Sequence, residues 1–224
     1  MRKIFNKFTI ISICCWGVFL LLLILLSTVD EVENHVGSIG LYSLNKSFLV
    51  SRYDENWDVL SDVVLYFSLA FAGGLMIYGL NQLITRKSFF KVDKDILFAG
   101  GGILLILVLW FLFDKAFVVN YRPILIDDFA YASFPSTHVM FSTFVLLVSC
   151  RIIIKRNPYT LVYSIAGYVG MSFLILISTL GRILSCMHWM TDVLGGVCIG
   201  LGLYFLVLGL DKIFENKKKN LNLE

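Results

Sequence analysis

Six apolar runs long enough to cross a bilayer, a charged fraction of only 16%, and a lopsided placement of lysine and arginine predict an all-α integral membrane protein, a six-transmembrane-helix bundle. Soluble domains carry roughly a quarter charged residues. With 58% hydrophobic residues, this 224-residue chain would expose much apolar surface to water if it folded as a soluble domain. Lipid as the surrounding solvent removes that conflict.

A helix needs ~20 apolar residues to span the hydrocarbon. Residues 8–27, 59–80, 96–113, 138–154, 159–180 and 190–214 qualify, and the short fourth run is expected to begin within the preceding loop. An even number of spans puts both termini on one side, together with the second and fourth connections. That side holds Arg2, Lys3, Lys7, Arg86, Lys87, Lys91, Lys94, Arg151, Lys155, Arg156, Lys212, Lys217, Lys218 and Lys219, fourteen of the 19 basic residues. The positive-inside rule makes it cytoplasmic. The other five, Lys46, Arg52, Lys115, Arg122 and Arg182, fall outside; the last three stand beside membrane ends, which points to a local task. The chain divides into two N-terminal spans with an acidic outer connection (residues 1–95), a four-span core (96–214) and a basic cytoplasmic tail (215–224). The outer connection, residues 28–58, has six carboxylates against two basic residues, and a short interfacial helix is expected near residues 39–50.

The remaining composition excludes several classes. No long basic run with interleaved aromatics points to nucleic acid. Cys14, Cys15, Cys150 and Cys198 lie in apolar runs, where a small side chain packs, and Cys186 is expected to meet the exterior. No CxxC pair or His/Cys cluster suggests a metal site, and no disulfide framework or cofactor follows. The basic start and ~20-residue apolar run fit an uncleaved first span better than a secretory signal, whose core is shorter. Ser27-Thr28-Val29 is a poor cleavage site, and Ile13 disfavours a lipoprotein reading of Cys14.

Three clusters lie at the outer ends of spans three to six. Lys115 is followed after six residues by Arg122-Pro123; then comes Pro135-Ser136-Thr137-His138; then Arg182, five residues, His188, three residues, Asp192. In this order the clusters resemble the type 2 phosphatidic acid phosphatase superfamily, whose pattern is KxxxxxxRP, PSGH and SRxxxxxHxxxD. The resemblance covers residues 96–214. Two departures stand out: Gly181 replaces the family's serine, removing a possible phosphate donor, and Thr137 replaces its glycine, with a β-branch that restricts the turn.

Elementary chemistry agrees with that resemblance. A transferring phosphoryl group spreads negative charge over its oxygens and needs fixed donors. Arg122 and Arg182 offer bidentate forks, Lys115 a point charge, and Ser136, Thr137 and the loop backbone neutral donors. Nothing resembles a carboxylate cage, so a metal-independent reaction is expected. His188 and Asp192, four apart, share a helix face, so Asp192 can accept from one imidazole nitrogen while the other attacks phosphorus. The resemblance also implies a phosphohistidine at His188, with His138 protonating the departing lipid oxygen and then activating water.

Each residue alone has a plainer account. Lysine and arginine snorkel at helix ends; His188 beside Trp189 suits an aromatic belt; Asp192 suits a helix N-terminus; Pro135-Ser136 suits a helix start. The spaced set of nine positions favours catalysis. His35, Asp127 and Asp128 read as solvated loop residues, and Tyr121, Phe129 and Tyr131 as interface anchors. Gly196 and Gly200 read as close packing within the bundle first and dimerisation second; nothing else bears on oligomeric state. Asp114 reads as a helix-end charge or a partner for Lys115, and Asp62 as an intramembrane charge facing the bundle interior.

The expected activity is hydrolysis of a phosphate or diphosphate on a membrane lipid at the extracellular or periplasmic face of the cell membrane. Undecaprenyl diphosphate, phosphatidylglycerophosphate, phosphatidic acid and lipid A phosphates are candidates. The rivals are a lipid phosphotransferase using the same intermediate and a silent phospholipid-binding or transport protein.

Overall fold

A computed structural model describes residues 6–49, 52–157 and 160–221, without the side chains of Asn34 and residues 218–221. Arg2, Lys3, Val50, Tyr159 and the side chains of Lys218 and Lys219 lie outside the described residues. Six helices are long and apolar enough to cross a membrane. They are α1 (Lys7–Thr28), α3 (Glu55–Arg86), α4 (Lys94–Phe111, continued by a wider turn Leu112–Ala116), α5 (Thr137–Arg156), α6 (Leu161–Leu184) and α7 (Met190–Leu221). The protein is an all-α multi-pass membrane bundle.

Polar residues set the helix starts. Asn6 accepts from the backbone of Phe8 and Thr9, while Thr9 Oγ1 accepts from the Asn6 backbone N–H, a reciprocal cap. Asp54 accepts from the N–H groups of Asn56 and Trp57 ahead of α3. α3 runs well beyond residues 59–80 because Asp58 and Asp62 at one end and Gln82 at the other find polar partners and need not lie outside the helix.

α5 and α7 form the centre of the bundle; most of their membrane stretch is buried, whereas α1, α3, α4 and α6 turn large apolar side chains outward. α7 approaches α5 across Gly196 and Gly200. A Cβ on Gly196 would stand 2.7 Å from the Ser136 carbonyl oxygen, and one on Gly200 2.6 Å from Thr143 Cβ. The GxxxG spacing thus serves packing inside the bundle. α1 lies along α7, with Ser12 Oγ donating to the Gly202 carbonyl at 2.7 Å and Asn6 Nδ2 to the Gly209 carbonyl at 3.0 Å.

At that same end, Arg156 reaches Asp93 and Asp95, and Arg151 and Lys155 converge on Asp211. This charged seam joins α4, α5 and α7 at the end that carries the start of α1. The three sequence clusters sit at the opposite end.

In the first outer connection a short helix, α2 (Tyr42–Ser47), falls within the expected residues 39–50, and an unforeseen hairpin, β1 (Val32–Asn34) with β2 (Gly37–Ile39), precedes it. Gly37 adopts φ 120° in the hairpin and meets the Tyr121 ring so closely that a Cβ would lie 2.4 Å from it. Val36 and Ile39 bury against Trp189. The hairpin therefore packs on protein, while Leu44, Phe48 and Leu49 in and after α2 stay exposed.

Cys186 also departs from expectation: it is buried, at φ 61°, because the tight turn joining α6 to α7 folds inward. Gly196→Ala is expected to destabilise the bundle by ~1–3 kcal/mol, since the clashing atom is backbone that cannot swing aside. Thermal unfolding in detergent tests it, and an unchanged midpoint would show that α5 and α7 are not held by this approach.

Candidate active site

The site end gathers the starts of α5 and α7, the end of α6, and residues 117–136. In that loop, Tyr121 and Ala132 pair as a one-rung antiparallel bridge, extended by Arg122 N–H to the Tyr131 carbonyl at 3.0 Å and Ser133 N–H to the Asn120 carbonyl at 2.8 Å. A cavity of about 180 Å³ opens against it, walled by Arg122, Ser133, Thr137, His138 and His188, with Leu65, Trp110 and Phe113 on its apolar side. That is below the ~300–1,000 Å³ of pockets enclosing a drug-sized ligand.

Asp192 is the best-satisfied side chain here. With no exposure, it accepts from Asn120 Nδ2 at 2.9 Å, Ser133 Oγ at 2.5 Å and the Trp189 backbone N–H at 2.9 Å. As the third residue of α7, it caps the helix's first turn through the Trp189 bond. Its carbonyl accepts from the Ser136 N–H at 3.0 Å, tying the start of α5 to α7.

His188 stands 3.8 Å from Asp192, too far for the direct hydrogen bond expected from their spacing. Trp189 N–H and Ser133 already occupy the nearer carboxylate oxygen. Ser133 Oγ instead lies 3.1 Å from His188 Nδ1. Its single proton goes to Asp192, so its oxygen can only accept from Nδ1–H. That leaves the His188 Nε2 lone pair as the reactive one.

His188 is buried, and desolvation first, then the charges of Arg122, Arg182 and His138, hold its pKa well below the ordinary imidazole value. Arg122 is the cavity-lining cation that makes no ion pair among the described residues, with Asp58, Asp192 and Asp114 acting on it only at longer range. Its guanidinium contacts the Ala132 carbonyl at 3.5 Å and Met187 sulfur at 4.0 Å, with no carboxylate within 4.0 Å among the described residues. Burial, and secondarily Arg182, push its pKa down.

The other sequence-predicted residues are placed unevenly. Thr137, the first residue of α5, lines the cavity, where a β-branch is accommodated at a helix start. Ser136 is buried behind the wall, its hydroxyl without a partner. Arg182, 2% exposed, lies behind His138 and donates to Asp58 at 2.6 Å, Ser61 at 3.2 Å and Asp62 at 3.3 Å. Lys115 is exposed and pairs with Asp114 at 2.8 Å; only Asp114 reaches the cavity wall.

Sequence reasoning missed Asn120 and Ser133. Each stands two residues before a motif position, Arg122 and Pro135, and extended backbone puts residues two apart on one face, which was the available signal. Asn120 also accepts from the Gly40 N–H at 3.1 Å, and Asn45 donates to the Gly40 carbonyl and accepts from Thr191, so the outer hairpin segment braces the site.

The PAP2 superfamily model matches residues 103–212, which contain all three clusters. Across those residues the chain is similar to the PAP2 superfamily. A PAP2 crystal structure, described as the first transmembrane PAP2-type phosphatidylglycerolphosphate phosphatase from Bacillus subtilis, shares the fold: TM-score 0.61 at 23% identity, covering 90% of this chain and 96% of that one. Phosphatidylglycerophosphatase B of Bacillus subtilis (strain 168) is 36% identical over 85 residues. That match takes in 36% of this chain and 39% of the relative, less than half the length of either.

The depressed His188 pKa has a definite sign. The unfolded chain takes up this proton near pH 6.5 and the folded site resists it. Its stabilising contribution is complete above about pH 6.5 and is lost as pH falls through the lower folded value. Below about pH 6.5 the unfolding midpoint in detergent is expected to fall more steeply in the wild type than in His188→Gln; equal slopes would show that His188 titrates normally.

Proposed function

We propose that this protein hydrolyses the phosphate of a membrane lipid, through a phosphohistidine on His188 and without a metal. The observation carrying this reading is the Arg122 guanidinium, half-buried and without an ion pair among the described residues, against a cavity that also exposes two imidazoles. A desolvated charge without a partner costs several kcal/mol unless an anion occupies the site. The cavity is sized for a phosphate and flanked by Leu65, Trp110 and Phe113, so a lipid presents its headgroup while its chains remain in the bilayer.

In this reading His188 Nε2 attacks phosphorus, Arg122 and the N-terminal turn of α5 at Thr137 steady the equatorial oxygens, and His138 protonates the lipid oxygen as the phosphorus–oxygen bond breaks. His138 then takes a proton from water, which attacks the phosphohistidine and releases inorganic phosphate. Ser133 and Asp192 hold the His188 tautomer. Arg182 contributes its field from behind His138, Ser136 fixes the α5 start, and Lys115 draws anionic headgroups toward the rim. Cations and imidazoles supply the charge stabilisation that a metal would otherwise provide.

The positive-inside distribution supports a site on the extracellular or periplasmic side, with both termini cytoplasmic. Phosphatidylglycerophosphate is the leading substrate, by the name of the matched relative, ahead of phosphatidic acid, undecaprenyl diphosphate and lipid A phosphates.

Purified protein in micelles should release phosphate from at least one of these lipids in excess chelator. Brief incubation with ³²P-labelled lipid should leave acid-labile label on the wild type and none on His188→Ala. His138→Ala should lose ~10²–10⁴-fold in turnover, the usual worth of general acid–base catalysis, and Arg122→Ala ~10²–10³-fold. Label persisting on His188→Ala, or strict Mg²⁺ dependence, would end this reading.

A further inference from the structure

Two of the carboxylates of α3, Asp58 and Asp62, stand outside the three sequence clusters, one helical turn apart and so on one face. Asp58 Oδ1 accepts from Arg182 Nη1 at 2.6 Å, and its Oδ2 from the Tyr53 hydroxyl at 2.9 Å. Asp62 Oδ1 lies 2.9 Å from His138 Nε2 and accepts from Arg182 Nη1 at 3.3 Å. His138 lines the cavity, whereas Asp62 is not part of its wall.

Gly181 makes this approach possible. A Cβ there would stand 2.8 Å from Ser61 Cβ and 3.0 Å from the Trp57 carbonyl oxygen, so any side chain at this position would force α3 away. Where the family pattern has serine, the space belongs to Ser61 of α3, whose hydroxyl lies 3.2 Å from Arg182 Nη1. The departure from the motif and the presence of the two carboxylates are one packing event.

We propose that Asp62 is a positioning residue for His138, holding Nε2–H and so assigning proton exchange with the substrate to Nδ1. This rests on the reading of His138 as the group that protonates the leaving lipid oxygen. In an imidazole, the partner of one nitrogen sets what the other does. Nδ1 of His138 makes no hydrogen bond among the described residues and is not among the buried polar atoms that lack one, so it remains accessible. The imidazolium gives its Nδ1 proton to the alkoxide as the phosphorus–oxygen bond breaks; the neutral ring, still bonded through Nε2–H to Asp62, later takes a proton from water at Nδ1. The Asp62 carboxylate favours the imidazolium that each cycle regenerates. Asp58 does the corresponding work for Arg182, accepting from its Nη1, while the buried Nε makes no hydrogen bond.

The test exploits the leaving group. kcat/KM reports the steps through phosphoryl transfer to His188. A lipid alkoxide needs a proton to depart, whereas 4-nitrophenolate departs without one, so loss of an organised acid must affect the two substrates differently. In Asp62→Asn, kcat/KM on the lipid phosphate should fall by ~10-fold or more while kcat/KM on 4-nitrophenyl phosphate falls by less than ~3-fold. Asp58→Asn, which loosens Arg182 and not His138, should lower both equally. Gly181→Ala displaces α3 and with it both carboxylates, so it should combine the two effects, lowering both substrates but the lipid phosphate further, and the inference stays testable if the isostere does not fold. Equal losses on both substrates in Asp62→Asn, or none, would overturn the positioning role. A wild type that releases no phosphate from any lipid would instead remove the catalytic reading beneath it.

Discussion

A carboxylate removed from water must have its oxygens satisfied, or it costs the fold several kcal/mol. Asp192 meets this demand with donors from three separate segments: Asn120 and Ser133 from the two sides of the loop bridge, and the Trp189 N–H from its own helix start. Because the Ser136 N–H also binds its carbonyl, α5 and α7 are locked at the site end by one residue. The geometry of His188 and of the loop carrying Arg122 is a by-product of satisfying this one buried charge.

The cations around the cavity are treated in opposite ways. Arg182 is sealed and neutralised by α3, and Lys115 sits outside with Asp114. Arg122 faces the cavity with no ion pair among the described residues. Three positive charges close in sequence pattern therefore differ in electrostatic state, and the difference comes from which neighbouring helix supplies a carboxylate. A buried pair gives little net stability but fixes geometry, whereas an unpaired guanidinium stores an electrostatic demand that an anion can meet.

The spans were legible because a bilayer imposes a length and an apolarity that no other packing imposes so uniformly. The clusters were legible because arginine, histidine and proline are few in this chain. Thr137, His138, Arg122 and His188 do converge on one cavity. Asn120, Ser133 and Asp58 carried no such mark: asparagine, serine and a helix-start aspartate are ordinary, and their contacts span 59 to 124 residues of chain. Asp62 was visible as an intramembrane charge, but its partner on α5 was not. The direct His188–Asp192 bond failed because i,i+4 spacing establishes a shared face and not which third side chain stands between. Cys186 was misjudged because a short connection was assumed to be wet, and tertiary packing drew it inward.

The outer hairpin segment is a loop by topology and core by energetics. Val36 and Ile39 close over Trp189, and residues 40 and 45 hold Asn120 and the first turn of α7. The stretch that sequence drift would ordinarily treat as a spacer is thus a constrained wall. A crossover between homologues within α3 or α4 would separate it from the surface it packs against, whereas one at the end of α1 would keep the two together.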